Sequence, residues 1–131
     1  MSTRTTLRPY PVISAASMAA DIVAEPTILQ SVSGVSYTLS WSGTSPVGTI
    51  AVEGSNDYSL NPDGTEDNAG TWIPIYISVN GGSPASSAAI TGNTGSALIE
   101  ILKTTVYAIR LFYDATSGTG TLNAVINGRV S

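Results

Sequence analysis

The sequence has neither cysteine nor histidine. The first absence excludes disulfide staples, thiolate metal sites and thiol nucleophiles, and it removes any redox signature of a compartment. The second excludes more. Histidine is the usual side chain titrating near neutrality and the commonest metal ligand. Without it, Ser-His-Asp and Cys-His arrangements cannot be assembled, and the usual zinc sites are closed. Charge is scarce too: 11% of residues are charged, against about 25% in ordinary soluble domains. Five basic residues face nine acidic ones, for a net charge of −4. A surface so poor in Lys and Arg is a weak partner for phosphate backbones, so no nucleic-acid role is expected. No apolar run reaches the ~20 residues that span a bilayer, and no membrane role is expected. Arg8, Pro9 and Pro11 interrupt the stretch after Met1-Ser-Thr-Arg4. No signal-peptide core follows, so the chain is expected to be made in a cytoplasm and used intact.

What is present is glycine, serine and threonine in quantity, the composition of short strands, tight turns and a neutral, hydroxyl-rich skin. The 131 residues fit one domain. A chain of this size hides roughly two thirds of its unfolded surface and needs no metal or disulfide to fold. Low charge weakens protection against association, which a protein of an ordered assembly tolerates.

Residues 1–24 differ from the rest and are expected to form an N-terminal arm, with residues 25–131 as the folded domain. Pro9 and Pro11 deny helix or central strand. Ser14-Ala-Ala-Ser-Met-Ala-Ala-Asp21 suggests a helical turn or two, too short to be stable alone. Bulky Leu7, Tyr10, Val12 and Ile13 suit an arm laid on a partner or on the domain's own flank, and the competing reading is a frayed terminus. Arg4, Leu7, Arg8 and Tyr10 are the expected assembly contacts. Deleting residues 1–24 is expected to leave a folded monomer.

From Pro26 onward the pattern is β. Thr27–Val32 reads as a strand. Val35, Tyr37, Leu39 and Trp41 share one face of the next, opposite Ser36, Thr38, Ser40 and Ser42, the alternation of a half-buried strand. Gly43–Gly48 reads as a turn, and Thr49–Ser55 as a strand with Ile50 and Val52 inward. Thr71–Val79 follows, with Pro74 marking a bulge or an edge. Ala85–Thr91 and Ser96–Leu102 are shorter. Thr104–Ala115 places Thr105, Tyr107, Ile109, Leu111 and Tyr113 on one face. Thr116–Gly120 reads as a tight turn into Thr121–Val130, which carries Leu122, Ala124 and Ile126 inward, so the last pair is expected to be a hairpin. About eight strands at short spacing predict an all-β, antiparallel sandwich of jelly-roll type.

The long polar loop from Asn56 to Gly70 is the first candidate site. Asn61-Pro-Asp-Gly64 is a turn signal within it. Asp57, Asp63, Glu66 and Asp67 supply oxygens of the kind Ca²⁺ takes, but the spacing lacks the alternating acids and distal Glu of a calcium loop. Solvated side chains capping their own turns are the expected state, with no cofactor. A glycosidase pair is not expected, because the carboxylates crowd on one loop rather than face each other across a cleft. Among the aromatics, Trp41, Tyr107 and Tyr113 are in phase with core residues. Tyr58 in the loop and Trp72 at its edge are the candidates for glycan stacking. Lys103, the sole lysine, is expected to be solvated rather than a partner in Ser-Lys chemistry. Arg110 lies mid-strand and either faces solvent or pairs with a carboxylate at an interface. No enzyme activity is expected.

Several segments taken in order carry a family resemblance. They are Tyr37-Thr-Leu-Ser-Trp-Ser-Gly-Thr44, Val47-Gly-Thr-Ile-Ala-Val-Glu-Gly-Ser-Asn-Asp57, Trp72-Ile-Pro-Ile75, Tyr107-Ala-Ile-Arg-Leu-Phe-Tyr113, Ala115-Thr-Ser-Gly-Thr-Gly-Thr-Leu122 and Ile126-Asn-Gly-Arg129. The series resembles a group of small β-sandwich virion structural proteins of bacteriophages, over about residues 35–130. The stretch from Ser55 to Gly70 is a longer insertion than the pattern holds. The resemblance implies a capsid decoration, minor capsid or tail-associated protein. Such a protein would be homo-oligomeric, partnered by other virion proteins, resident in the virion and without catalytic residues. The rival function is a carbohydrate-binding module that contacts glycans through Tyr58 and Trp72.

Overall fold

A computed structural model of the chain describes residues 6–30, 32–102 and 105–129, with side chains from residue 9 onward. Arg4 and Lys103 lie outside the described residues, as do the side chains of Leu7 and Arg8. The described elements are eleven strands rather than about eight. They are β1 (Thr6–Ser17), β2 (Ile22–Val23), β3 (Thr27–Ile28), β4 (Gly34–Ser55), β5 (Ser59–Leu60), β6 (Glu66–Asn68), β7 (Ile73–Ile75), β8 (Ile77–Val79), β9 (Ala88–Ile90), β10 (Thr94–Ile101) and β11 (Ala108–Arg129). All their pairings are antiparallel, so the chain is all-β with antiparallel sheets.

The frame is one ladder. β4 and β11, each 22 residues long, pair from Gly34↔Arg129 at one end to Ser55↔Ala108 at the other. The expected turns at Gly43–Gly48 and Thr116–Gly120 are therefore not reversals, and the expected terminal hairpin is a single strand. These two glycine-containing segments lie opposite each other mid-ladder, with Gly43 facing Gly120 and Thr44 facing Thr119. Each strand carries one extra residue there. Ser45 and Pro46 stand against Gly118 alone, and Thr116 is then passed over between Ser117 and Ala115. Ser45 and Gly118 both have positive φ, at 48° and 81°. A Cβ on Gly118 would collide with the backbone of Ser45 and Pro46, so only glycine fits this close approach.

An extra residue shifts the period-two alternation by one. Before the bulge β4 buries Val35, Tyr37 and Leu39; beyond it, Ile50 and Val52. β11 likewise passes from Ile109, Leu111 and Tyr113 to Leu122, Ala124 and Ile126. The same side of the ribbon thus stays apolar along its length. On one half of the ladder, β1 joins β11 while β10 and then β8 join β4. On the other half, β2 and β3 join β11 while β7 and β9 join β4. Both halves contribute to one buried cluster. The chain crosses between them at exposed Tyr76, from β7 to β8.

The N-terminal segment lies on the domain's own flank. β1 is an edge strand on β11 with three irregularities in register, a place where Pro9 and Pro11 are tolerated and discourage further strand addition. The expected helical turn is absent: β1 runs to Ser17, with Ala15 at φ 50° and its N–H donating to Asn123 Oδ1 at 2.8 Å. Val12, Ile13, Met18 and Ala24 belong to the buried cluster, so the segment is part of the fold and not a detachable arm. Trp41 packs half-buried against the core. Tyr107, expected inside, is 38% exposed because the ladder begins one residue later, at Ala108.

Two predictions follow from the core. Burying Val12, Ile13 and Met18 is worth about 1.5–3 kcal/mol each, comparable in sum to the ~5–15 kcal/mol that holds a domain together. A chain lacking residues 1–24 will therefore fail to fold, read as loss of near-ultraviolet circular dichroism and of amide dispersion in NMR. The hydroxyls of Tyr37 and Tyr113 are buried without a hydrogen-bond partner among the described residues, and burial raises both phenol pKa values, Tyr113's with help from Asp114. An unpaired buried hydroxyl costs about 1–3 kcal/mol. Tyr37→Phe and Tyr113→Phe will each leave the calorimetric unfolding temperature unchanged or higher.

Candidate functional site

The loop from Asn56 to Gly70 is built by its own side chains. At its root Ser55 is buried, and its Oγ donates to Asp57 Oδ1 at 2.8 Å and accepts the Tyr58 N–H at 3.2 Å. Asp57 ties the two ends together: Oδ1 accepts the Thr71 N–H at 2.7 Å and Oδ2 accepts the Thr71 hydroxyl at 3.0 Å. Asn56 Oδ1 accepts the Tyr107 N–H at 2.8 Å, anchoring the loop to the chain entering β11. At the tip the Gly64 N–H reaches the Asn61 carbonyl at 2.9 Å, closing the turn that Asn61-Pro-Asp-Gly64 predicts. Asp63 Oδ1 accepts both the hydroxyl and the N–H of Thr65, and Asp67 Oδ2 accepts the Ser59 hydroxyl.

Three of the four carboxylates considered for calcium are thus turned onto the loop's own donors, and Glu66 is exposed on β6. No group of three or more acidic side chains converges as a metal site among the described residues. The bonds from the Thr71 N–H, the Ser55 hydroxyl and the Thr71 hydroxyl, in that order, hold the Asp57 carboxyl below its ordinary value. The Thr65 hydroxyl and N–H do the same for Asp63.

Tyr58, expected in the loop as a candidate for glycan stacking, is 8% exposed. Its ring packs on Trp72 with centroids 5.5 Å apart and planes tilted by 52°. Trp72 Nε1 donates to the Ala69 carbonyl at 2.8 Å. The guanidinium of Arg110 sits 4.3 Å from the Trp72 ring centroid, a cation–π contact, while its Nε donates to Glu53 Oε1 at 2.8 Å. Arg110 therefore pairs within its own chain, across the β4–β11 rung Glu53↔Arg110. Gly70 has φ +85°, and a Cβ there would lie 2.8 Å from Ser55 Oγ and 3.0 Å from Tyr58 Cβ. Only glycine lets the loop return over this stack.

The structure joins two candidates that the sequence kept apart. Tyr10 of β1 and Tyr58 of the loop line one open groove of about 700 Å³, with Pro9, Glu25, Pro26 and Leu60 among its walls. Glu25, Pro26 and Leu60 carry no motif; the pairing of β2 and β3 with β11 and of β5 with β6 brings them beside β1. Burial raises the Tyr58 phenol pKa, and the charges of Glu66 and Glu25 add to it. A second cleft, of about 490 Å³, is lined by Ile75, Tyr76, Leu102 and Val106. Around it Ile73, Tyr76 and Leu102 are 62%, 65% and 45% exposed, a concentration of apolar side chains open to solvent.

A carboxyl whose pKa is lowered by folding stabilises the fold fully above its unfolded value, and that contribution is lost as pH falls through the folded value. The Thr71 amide is therefore expected to be protected, relative to its intrinsic exchange rate at each pH, at neutrality and to lose that protection once acidification passes below the ordinary aspartate range. In Asp57→Asn the protection will be weak throughout and will show no such pH step. Calcium added to the wild-type chain will leave the loop amide signals where they are.

No protein-family model matches the chain, and no curated protein matches it by sequence. Among solved structures it is similar to the SPBc2 prophage-derived protein YomS. The identity is 12% and the TM-score 0.59, over 97% of this chain and 96% of that one. The likeness is one of fold, carried along the full length of both chains.

Proposed function

We propose that this chain is a non-enzymatic structural component of a phage particle, of capsid decoration, minor capsid or tail-associated type, that acts by protein–protein assembly. The observation that carries the reading is the end-to-end fold likeness to a prophage-derived protein, together with the order of motifs from Tyr37 to Arg129. In this reading the two halves of the β4–β11 ribbon pack as the two layers of a sandwich of jelly-roll plan. The exposed Ile73, Tyr76 and Leu102 supply the apolar contact of a homo-oligomer or of a neighbouring virion protein. Tyr10, with Arg4, Leu7 and Arg8 beside it in sequence, supplies a second contact. Sparse charge suits a surface that is covered in use.

The glycan reading has less support. Sugar stacking needs an open aromatic face. Trp72 is half-buried, with Tyr58 against it and the Arg110 guanidinium over its ring.

Mass spectrometry of purified particles from a host carrying the gene is expected to find the chain at a fixed copy number per particle. The Ile73→Asp, Tyr76→Asp double variant will fold but be depleted from particles at least about tenfold, since charges are poorly tolerated in an interface core. Particles free of the wild-type chain would overturn the proposal.

A further inference from the structure

We propose that the groove between β1, residues 25–28 and the β5–β6 hairpin binds an extended peptide segment of a partner protein through a basic side chain, arginine or lysine. Its volume of about 700 Å³ lies within the range of ligand sites. Its walls are mainly apolar, and two of them stand open to solvent: Tyr10 is 51% and Leu60 41% exposed. Among the described residues, the charge at the groove is of one sign. Glu25 is in the wall, and Glu66 pairs across the β5–β6 hairpin with Leu60, another wall residue. Among the described residues, no lysine or arginine lines the groove. The one ion pair among the described residues, Arg110–Glu53, lies across the Trp72 stack instead.

A basic side chain meets both features at once. Its aliphatic stem covers the apolar wall while its head reaches the two carboxylates, and tyrosine faces attract a cation. Other ligand classes fit less well. An anion meets two negative charges. A sugar would bring many hydroxyls against a lining whose polar side chains besides the tyrosines are Glu25 and Thr27, and each hydroxyl left unpaired is costly. A peptide fits better than a small free cation because Pro26 and Leu60, flanking Glu25 and Tyr58, offer apolar surface for the neighbours of the basic residue. The inference stands apart from the particle reading, since the groove's chemistry is the same whatever assembly the chain joins.

The test uses the full-length, ¹⁵N-labelled chain and an acetylated, amidated hexapeptide of alternating arginine and leucine. The control peptides carry glutamine or glutamate in place of arginine. The arginine peptide is expected to shift the amide signals of Tyr10, Thr27 and Leu60 saturably at sub-millimolar to millimolar concentration. The control peptides, and the arginine peptide against the Glu25→Gln, Glu66→Gln double variant, will bind at least roughly fivefold more weakly. Added salt will weaken the wild-type complex. Both glutamates are exposed, so circular dichroism of the variant will match wild type. Equal binding of the glutamine peptide, undiminished binding to the double variant, shifts confined to another part of the surface, or no saturable shift at a few millimolar peptide would each overturn the proposal.

Discussion

The paired bulges at the middle of the β4–β11 ladder are the constraint on which the rest of the fold depends. Two 22-residue strands stay in register from Gly34↔Arg129 to Ser55↔Ala108, yet their apolar residues change from odd to even numbers halfway. Only an extra residue in each strand reconciles those facts. Were either one missing, half of that strand would turn its apolar side chains to water. Gly118, whose absent side chain leaves room for the backbone of Ser45 and Pro46, makes the arrangement sterically feasible. Every other strand of the main sheet is hung from this ribbon: β1, β2, β3, β7, β9 and β10 pair with it directly, and β8 joins through β10.

The loop and the groove inherit their positions from the ribbon. Ser55 ends β4, and Ala108 opposite it begins β11, so Asn56 and Tyr107 meet beside the last rung. Glu53 and Arg110 face each other two rungs earlier, which sets the guanidinium under Trp72. The acids of the loop then act mainly as internal acceptors. Asp57 replaces the missing strand pairing between the loop's two ends, and Asp63 and Asp67 do the same nearer the tip. Glu25 and Glu66 are different: Glu25 lines the groove, Glu66 pairs with Leu60 of its wall, and among the described residues no such bond from the loop engages either.

Much of this was legible in residue types. Alternation assigned the inward faces of both halves of β4 and β11 correctly, because period two is a local property. The polar self-capping of the Asn56–Gly70 loop followed from its Asx and Thr content. The continuity of the two long strands was not legible. Gly43, Gly48, Gly118 and Gly120 have the composition of turns, and glycine marks a close backbone approach with the same letters it uses for a reversal. Which meaning holds depends on what lies opposite, and that is a long-range fact. The integration of residues 9–24 was missed for a related reason. Prolines correctly excluded a central strand, but an edge strand whose Val12 and Ile13 reach the core differs from an arm only in its partner. Tyr58 was misplaced because its burial is by Trp72, fourteen residues further on.

The long ladder also has a kinetic cost. Its nearest rung joins Ser55 to Ala108 and its farthest joins Gly34 to Arg129, so no rung can form by local hairpin closure. Chains dominated by such distant pairings fold slowly, because loop entropy is lost before contacts repay it. During synthesis, the side of β4 that pairs with β11 must wait until β11 has left the ribosome. Its sparse charge gives little repulsion between neighbouring nascent chains in that interval. The prolines and irregular register of β1, already released and at the eventual sheet edge, limit strand-to-strand pairing between chains while the partner strand is still being made.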